Sequence, residues 1–464
     1  MKFVLTLSFF VLHLILVSQA QQMLGPHSGN HASIYRATFN PSAVAGTKYK
    51  WHINAVAFNT TINNRYFSYF RTDALFYPIK TPYTSSELYG KSKLTGSYTM
   101  GGNVNIATDL RLPSVFFDVT KWLTLGVSGR FRGFVQGANL PSVLSDVYTK
   151  RLDFGNLVAS TGTIKNFTMS QQSFLETGLT VAGVALDLPE IIKIKLGASV
   201  KRLSAGRSVF LKINSANYQV RVIDKENAAL DLTNASYDYG YTNATQSFSL
   251  DNVFSDSYGS GWGYDFGATV ELGQIKNDAD YRANYIARIG VALTDGGSIS
   301  YPNSGKIYSG TLTKTTLNQD NVVALGDNTV KALESILPKT NPKTYTLTTQ
   351  LPTTLNLDLD LHLAKSFFLN ATLIKPTQTG PLPTVMQQPQ ILSITPRFED
   401  ADAEFTLPIS WIEGNTSPTV GMSARVEPIF IGFSNLSGML KIHEPRGTFL
   451  YFGLQFWKMR KDKK

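Results

Sequence analysis

The sequence lacks cysteine, has few charged residues and, beyond its N-terminus, has no long apolar run. With a Cys count of 0, disulfides and cysteine metal sites are excluded. Charged residues make up 16% of the chain, against about 25% in soluble proteins. No later stretch approaches the roughly 18 consecutive apolar residues of a membrane helix. If this chain crosses a membrane, only a closed β-barrel can do it, because every backbone polar group must be paired inside lipid.

The sequence also lacks the common enzyme motifs. It has no Gly-x-Ser-x-Gly nucleophile elbow and no phosphate-binding glycine-rich loop. A glycine cluster does occur, but its members are at strand spacing, where small residues ease curvature. They are Gly259, Gly261, Gly263 and Gly267.

Histidines give only weak alternatives. His27 and His31 lie in a polar segment with no Asp, Glu or Cys beside them, so a shared metal is disfavoured. His362 shares a strand face with Asp358 and Asp360. A face of this kind is more often a hydrogen-bonded wall than a catalytic cluster. We therefore predict a protein that is not an enzyme, with no catalytic residue, no metal site and no cofactor.

The N-terminus predicts export. Met1-Lys2 supplies a positive charge, residues 3–17 are almost wholly apolar, and Ser18-Gln19-Ala20 has the small-x-small form of a signal-peptidase site. We interpret residues 1–20 as a secretory signal peptide and expect the mature chain to begin near Gln21. A large exported protein without disulfides favours a bacterial envelope.

Aromatic residues and basic charge are what the sequence has instead. Aromatics make up 12% of the chain, with 21 Tyr and 28 Phe, and the net charge is +10. Transmembrane barrels place aromatic girdles at both membrane interfaces and need few surface charges. An excess of basic over acidic residues can indicate a protein that binds nucleic acid. In an exported β-rich chain it favours a basic lumen or contact with lipid headgroups, and we predict no nucleic-acid partner.

The stretch from Trp122 to Gln136 is typical of a barrel strand. Alternate positions from Leu123 to Val135 are apolar or glycine, and the other face carries Arg130 and Arg132. Successive strand side chains point to opposite faces, and a tilted membrane strand needs roughly 9–11 residues. The alternative is a half-buried strand of a large soluble sandwich.

Two further stretches repeat this pattern. In the hairpin from Phe174 to Leu203, lysines share one strand face and aliphatic residues the other, and in Leu351 to Leu363 leucines alternate with polar residues. We predict that the polar faces of the three stretches line a lumen. The predicted lumen-lining residues are Arg130, Arg132, Lys193, Lys195, Lys201, Asp358, Asp360 and His362.

The predicted fold is all-β: an antiparallel outer-membrane β-barrel. We count about 14 long strand candidates along the chain, and we choose 14 because single-chain bacterial barrels have even strand numbers. We divide the chain into a signal peptide (1–20), an N-terminal plug segment (21–48), the barrel (49–457) and a basic tail (458–464). One loop helix is predicted from Asn318 to Leu337. Arg71 to Leu94 and Asp224 to Tyr258 are predicted to be long exposed loops.

Several motifs together resemble a known superfamily. The octapeptide FNPSAVAG (residues 39–46) resembles the Asn-Pro-Ala element of the FadL long-chain fatty-acid transporters and their PorV-like relatives, and LGASVKRLSAG (196–206) resembles one of their strands. The stretches GWGYDFGATVEL, ARIGVALTDGGSISY and PRFEDADAEFTLPISW resemble an uncharacterised Bacteroidota outer-membrane family, a domain of unknown function.

The resemblance implies a monomeric barrel with an N-terminal plug. The fatty-acid transporters carry hydrophobic ligands, whereas the PorV-like relatives serve type IX secretion. Arg202 stands where the superfamily often has Tyr, and no ligand-pocket residue can be matched, so no site residue carries over.

Three functional hypotheses remain open. The first is a non-enzymatic barrel in the bacterial outer membrane, in contact with its lipid, that binds or passes a small hydrophobic molecule. The second is a structural or type IX secretion-associated barrel whose long loops bind envelope or secretion-system proteins. The third is a soluble secreted β-sandwich or adhesin.

Overall fold

The structure is a computed structural model of the full chain. It describes residues 23–64, 102–144, 158–225, 227–242, 258–273, 285–327, 329–338, 343–400, 402–415, 417–436 and 447–459, together with residues 147, 152 and 341. The predicted signal peptide and the loop Arg71 to Leu94 lie outside the described residues.

The described strands form one closed antiparallel β-barrel of 14 strands. The first strand pairs with both the second and the last, which closes the sheet. In chain order the strands are β1 Tyr49–Asn64, β2 Gly102–Arg111 with Ser114–Asp118, β3 Leu123–Leu140, β4 Ser160–Leu188, β5 Ile192–Val222, β6 Ala228–Thr242 with Ser260–Leu272, β7 Ala287–Leu317, β8 Lys343–Gln350 with Thr354–Ala364, β9 Phe367–Pro376, β10 Ile391–Glu399, β11 Ala403–Thr406 with Ile409–Ile412, β12 Thr419–Val420 with Met422–Val426, β13 Ile429–Phe433 and β14 Gly447–Met459. The predicted fold class and strand number are confirmed.

The two ends of the barrel differ in their connections. At one end, which we name the short-turn end, β4 joins β5 across residues 189–191, β8 joins β9 across 365–366, and β12 joins β13 across 427–428. β1 begins and β14 ends at this same end, where Tyr49 pairs with Met459. Most of the longer connections lie at the opposite end, the long-loop end, but the β6–β7 connection across 273–286 lies at the short-turn end. Lys458 and Met459, assigned to the tail, belong to β14.

Strands β4, β5 and β7 are unusually long, with 29, 31 and 31 residues. Their outer halves, with residues 228–242 of β6, extend past the rest of the barrel at the long-loop end. Helices α2 (Gln319–Asp327) and α3 (Thr329–Ile336) contribute to a hydrophobic core with this extension. We name the extension and its helices the cap.

The cap bears on two predictions. The helix predicted from Asn318 to Leu337 is helical over Gln319–Asp327 and Thr329–Ile336, and residue 328 between them lies outside the described residues. The prediction of a loop from Asp224 to Tyr258 is wrong over Ala228–Thr242, because these residues form a strand whose tyrosines are buried. No helix among the residues described is long and apolar enough to cross a membrane.

The outer surface changes character along the strands. On β4, the exposed outward positions near the long-loop end include Thr161 and Thr163, whereas nearer the short-turn end Leu179 and Val181 are 55% and 50% exposed. The same apolar surface continues around the barrel, and we name it the belt. Its members include Val127, Leu196, Val200, Phe266, Ile289, Val291, Leu359, Ile394, Ile431 and Phe452.

The N-terminal segment, residues 23–46, lies against the inner face of the strands. It contains two short 3-10 turns, at Pro26–Ser28 and Pro41–Val44, and one helical turn, α1 (Ser33–Arg36). Asn40 caps the second turn, since its side chain accepts from the backbone N–H of Ser42. The same Asn40 amide donates to the backbone carbonyl of Ala268 on β6. This contact holds the segment to the barrel wall.

Candidate functional site inside the barrel

The N-terminal segment is held by ion pairs to inward-facing residues of β7, β8 and β10. Arg36 donates from Nη2 to Asp358 Oδ2 at 2.7 Å. Arg288 donates to the backbone carbonyl of Ser28 at 2.8 Å and to Asn30 Oδ1 at 2.6 Å. The backbone N–H of Asn30 donates to Glu399 Oε2. Strand alternation places these charges inside because their strand neighbours, such as Leu357 and Leu359, face out.

A bidentate pair anchors this network. Arg397 donates from both terminal nitrogens to Asp360, at 3.0 and 2.9 Å, and from Nε to Glu399 at 2.7 Å. Asp360 also accepts from the Tyr285 hydroxyl at 2.5 Å. Buried charges persist only when paired and hydrogen-bonded, and here each carboxylate has a cationic partner. We name Arg36, Arg288, Arg397, Asp358, Asp360 and Glu399 the segment network.

A second group of charges, the central network, lies on β2 to β7. Arg132 donates to Glu176 at 2.7 Å and to Asp295 at 3.1 Å. Lys201 lies 2.7 Å from Asp265 and 2.8 Å from Asp295. The central network also includes Arg130, Asp109 and Arg111, with Arg130 Nε 2.7 Å from Asp109. Since β3 and β7 are not neighbours in the sheet, the Arg132–Asp295 contact crosses the barrel interior.

An apolar layer borders the central network. The guanidinium of Arg132 lies 5.2 Å from the ring centre of Phe134 and 5.3 Å from that of Phe174, within the range of cation–π attraction. These rings belong to one of the buried apolar clusters inside the barrel. Its members are Ala107, Phe134, Phe174, Leu203, Ala205, Ile299, Tyr301, Leu347, Leu351 and Met386.

Met386 comes from a loop that folds into the barrel. Residues 377–390, which we name the inner loop, connect β9 to β10. The backbone carbonyl of Gln387 accepts from Asn105 and Gln136, at 3.1 and 2.7 Å. That of Pro383 accepts from Gln172 and Thr349, both at 3.0 Å. The inner loop is therefore bound to β2, β3, β4 and β8 at once, across the interior.

Two small cavities lie beside the N-terminal segment. One, of about 40 Å³, lies between Tyr35 and the central-network residues Arg111, Arg130, Glu176 and Lys201. The other, of about 90 Å³, lies between the segment and β5 to β7 near the short-turn end. A water molecule needs roughly 10–15 Å³ of such space, so both cavities accommodate small polar species.

Both N-terminal histidines take part in holding the segment. His27 contacts the backbone carbonyl of Met23 and the Thr372 hydroxyl, and His31 lies 2.7 Å from the Tyr49 hydroxyl and 3.7 Å from Glu399. Burial lowers the pKa of each histidine from 6.5 to about 4. Within the part of the chain that the structure describes, no group of three or more His, Cys, Asp or Glu is arranged to hold a metal ion.

The structure brings most of the predicted site residues together in the interior. Arg130, Arg132 and Lys201 join the central network, Asp358 and Asp360 join the segment network, and Lys195 pairs with Glu271 at 2.5 Å. Lys193 is only half-buried and lies 3.5 Å from Asp187.

His362 lies on the same inward face of β8 as Asp358 and Asp360, at the short-turn end. It stacks on the buried ring of Phe368 with ring centres 4.4 Å apart, and its Nε2 lies 2.9 Å from the carbonyl oxygen of Lys365 in the β8–β9 turn. His362 still pairs with Phe368, and the register shift falls after it, between His362 and Ala364. His362 therefore keeps the alternation of Asp358 and Asp360 as far as the turn.

Sequence reasoning missed several members of these networks. Asp109 and Arg111, like Arg397 and Glu399, are separated by two positions in apolar surroundings. That spacing is the signal that could have found them, since it places both charges on one strand face. Asp295 gives no such signal, because the tripeptide Asp295-Gly296-Gly297 between apolar runs has the composition of a turn.

Comparison with solved structures finds barrels of similar chain course. A FadL homologue from Pseudomonas aeruginosa is 10% identical, with a TM-score of 0.45, over 95% of this chain and 99% of that one. The toluene transporter TodX from P. putida is 9% identical, with a TM-score of 0.41, over 92% of this chain and 94% of that one. No curated protein matches the sequence.

A protein-family model gives the assignment. It describes a family of unknown function, DUF5723, and it matches residues 41–434. The match covers every barrel strand from β1 to β13 and the second 3-10 turn of the N-terminal segment. This chain therefore belongs to the family of unknown function DUF5723.

Proposed function

We propose that this protein is a barrel of the bacterial outer membrane, exported by its signal peptide, that binds or passes a small hydrophobic molecule. The belt supports the membrane location. An apolar outer band around a closed barrel, with short turns at one end and longer loops at the other, is the arrangement of outer-membrane barrels. An exposed apolar surface of this extent is unfavourable in water.

The apolar layer is the observation that supports a hydrophobic ligand. The interior around it is lined by charged and amide side chains, yet Phe134, Phe174, Leu203 and Leu351 form a continuous apolar surface there. Met386 of the inner loop covers it. Ligand sites are typically apolar surfaces with a few polar groups. When the inner loop leaves, this layer offers such a site, with Arg132 and Lys201 beside it.

Binding of a radiolabelled aromatic hydrocarbon to the purified protein in detergent tests this proposal. We expect saturable binding that rises when residues 381–386 are replaced by Gly and Ser, because Met386 no longer covers the layer. Leu203→Asp, which places a charge in the layer, is expected to abolish it. The matched change Thr163→Asp on the outer face of the cap leaves binding unchanged. Binding that ignores Leu203→Asp would contradict a site at this layer.

A structural or secretion-associated barrel is the second candidate, and the cap favours it. Extended β4, β5 and β7 carry a folded surface beyond the belt, which a simple conduit does not need. A photo-crosslinking amino acid at exposed Thr163, introduced in the native host, tests this role. A specific envelope protein crosslinked from Thr163 and not from Val181 in the belt supports the scaffold. No cap-specific crosslink leaves hydrophobic binding as the better explanation.

A further inference from the structure

The larger cavity is unusual in the charge of its walls. Five cationic side chains line it, with one carboxylate, that of Glu271. The cations are Arg36, Lys48, Lys193, Lys195 and Arg288. It lies at the short-turn end, where the N-terminal segment meets β1, and the side chains of Lys193 and Glu271 at its edge are 16% and 12% exposed. The cavity is therefore partly exposed at this edge.

Carboxylates pair with four of these cations: Arg36 with Asp358, Arg288 with Asp360, Lys195 with Glu271 and Lys193 with Asp187. In Arg36 and in Arg288 the ion pair is made by the terminal nitrogen Nη2. The Nε groups of Arg36 and Arg288 are buried and have no hydrogen-bond partner.

Asn30 adds a third unpartnered donor at the same cavity. Its Oδ1 accepts from Arg288 and from Tyr285, so its Nδ2 is the donating end, and that Nδ2 is buried without a partner. Among the side chains described around the cavity, every buried polar atom without a partner is an N–H donor. A buried unsatisfied donor costs about 1–3 kcal/mol, and an acceptor that satisfied all three would be strongly held.

We propose that this cavity binds a small oxyanion of the phosphate class, between the N-terminal segment and strands β5 to β7. An oxyanion accepts several hydrogen bonds at once, and bonds from guanidinium groups are stronger than neutral ones. The cavity volume of about 90 Å³ accommodates one phosphate group. Because Asn30 and Arg36 belong to the segment, while Lys195 and Arg288 belong to the wall, the bound anion stabilises the seated segment. The phosphate is either free or part of a lipid headgroup.

Titration of the purified full-length protein in non-ionic detergent with inorganic phosphate, followed by calorimetry, tests the free ion. A second titration with dihexanoyl phosphatidic acid tests the headgroup. Binding of phosphate alone identifies the free ion as occupant, and binding of the short-chain lipid alone identifies the headgroup. Binding of both shows a site open to either. If neither binds, the proposal is overturned and the cavity holds only water.

Asn30→Asp is the decisive variant. It keeps the Oδ1 acceptor for Arg288 and Tyr285, so the segment stays seated, but it replaces the Nδ2 donor with a negative oxygen. We expect Asn30→Asp to weaken anion binding by at least about tenfold. Lys193→Gln, at the exposed edge of the cavity, is expected to weaken anion binding less. Asn217→Asp, the same change on the exposed face of the cap, is the control and leaves binding unchanged.

Wild-type affinity in Asn30→Asp would place any binding elsewhere and overturn the proposal. Proteolysis of the N-terminal segment reports whether the segment stays in place in each variant. Added phosphate is expected to slow that proteolysis in the wild type and in Asn217→Asp, but not in Asn30→Asp. The titration with inorganic phosphate uses no hydrophobic probe, so its outcome is independent of whether the barrel binds a hydrocarbon.

Discussion

Arg36 and Asp358 are 322 residues apart in sequence and form an ion pair of 2.7 Å inside the barrel, with side-chain exposures of 5% and 2%. One partner is on the N-terminal segment and the other on β8. The pair therefore forms only when the N-terminal segment lies against the inner wall of the barrel.

Arg36→Met removes this contact and leaves Asp358 with Arg288 at 3.9 Å as its remaining cationic neighbour. Breaking a buried pair from one side costs about 3–5 kcal/mol. We expect the segment to detach and residues 23–48 to become sensitive to protease in detergent, while the barrel still shifts on a gel after boiling. The double variant Arg36→Met/Asp358→Asn is expected to be less sensitive. Full protection in the single variant would show that other contacts suffice.

Arg132→Leu is expected to destabilise the barrel itself. It leaves Glu176 and Asp295 each short of a cation in a buried site, and such a loss costs roughly 3–5 kcal/mol. Arg221→Leu in the cap is the matched control, because Arg221 is 47% exposed where it pairs with Asp231, and exposed pairs contribute about 0–1 kcal/mol. Urea unfolding, followed by the gel shift of the folded form, measures both. Equal midpoints would contradict a stabilising role for the central network.

Two lysine substitutions on β4 locate the membrane. Val181→Lys puts a charge in the belt, where a lysine facing lipid costs about 2–4 kcal/mol near the bilayer midplane. Thr163→Lys puts the same charge on the cap, where surface changes cost within about 0.5 kcal/mol. Folding into vesicles, assayed by heat-modifiability, is expected to fail or slow for the first variant alone. Equal folding of both would argue that the belt does not face lipid.

Two separately held segments cross the interior, so opening one should not open the barrel. We expect low conductance in planar bilayers for the wild type, for a variant without residues 23–46, and for one with residues 381–386 replaced by Gly and Ser. Only the combined variant is expected to conduct steadily. High conductance after a single change would show that the other segment does not close the lumen.

Acid should loosen the N-terminal segment. The pKa of His27 and His31 is lowered from 6.5 to about 4 by burial, so the seated state favours the neutral form. Its stabilisation is complete above about pH 6.5 and is lost as the pH falls through about 4. His27 faces Asp358, Arg36 and Arg288, and His31 faces Glu399, Arg425 and Lys48.

Hydrogen exchange of residues 23–46 across this pH range measures the effect. The double variant His27→Gln/His31→Gln is expected to flatten the pH profile, and His362→Gln, at the β8–β9 turn, to preserve it. A profile unaffected by the double variant would assign the acid response to the carboxylates of the segment network.

The sequence by itself determined the barrel and the side of the wall on which each charge lies. Alternation is local: Arg130 and Arg132 face inward because their strand neighbours Leu125 and Val127 are apolar, whatever strand pairs with them. A count of about 14 long strand candidates, with the even strand number of single-chain bacterial barrels, was likewise enough to predict 14 strands. The same local logic holds as far as His362, beyond which a register shift at the turn interrupts the pairing.

Only the tertiary structure decided which charges meet and what fills the interior. Arg36 finds Asp358, and Arg132 finds Asp295, through closure of the sheet and its register, which depend on pairings hundreds of residues apart. The Tyr-rich stretch Ala228–Thr242 has the polar composition of a loop, yet it is a strand because the helices of the cap cover its aromatic face. The inner loop carries no sequence signal of its place, since its backbone carbonyls, which any residue supplies, are what bind it to the wall.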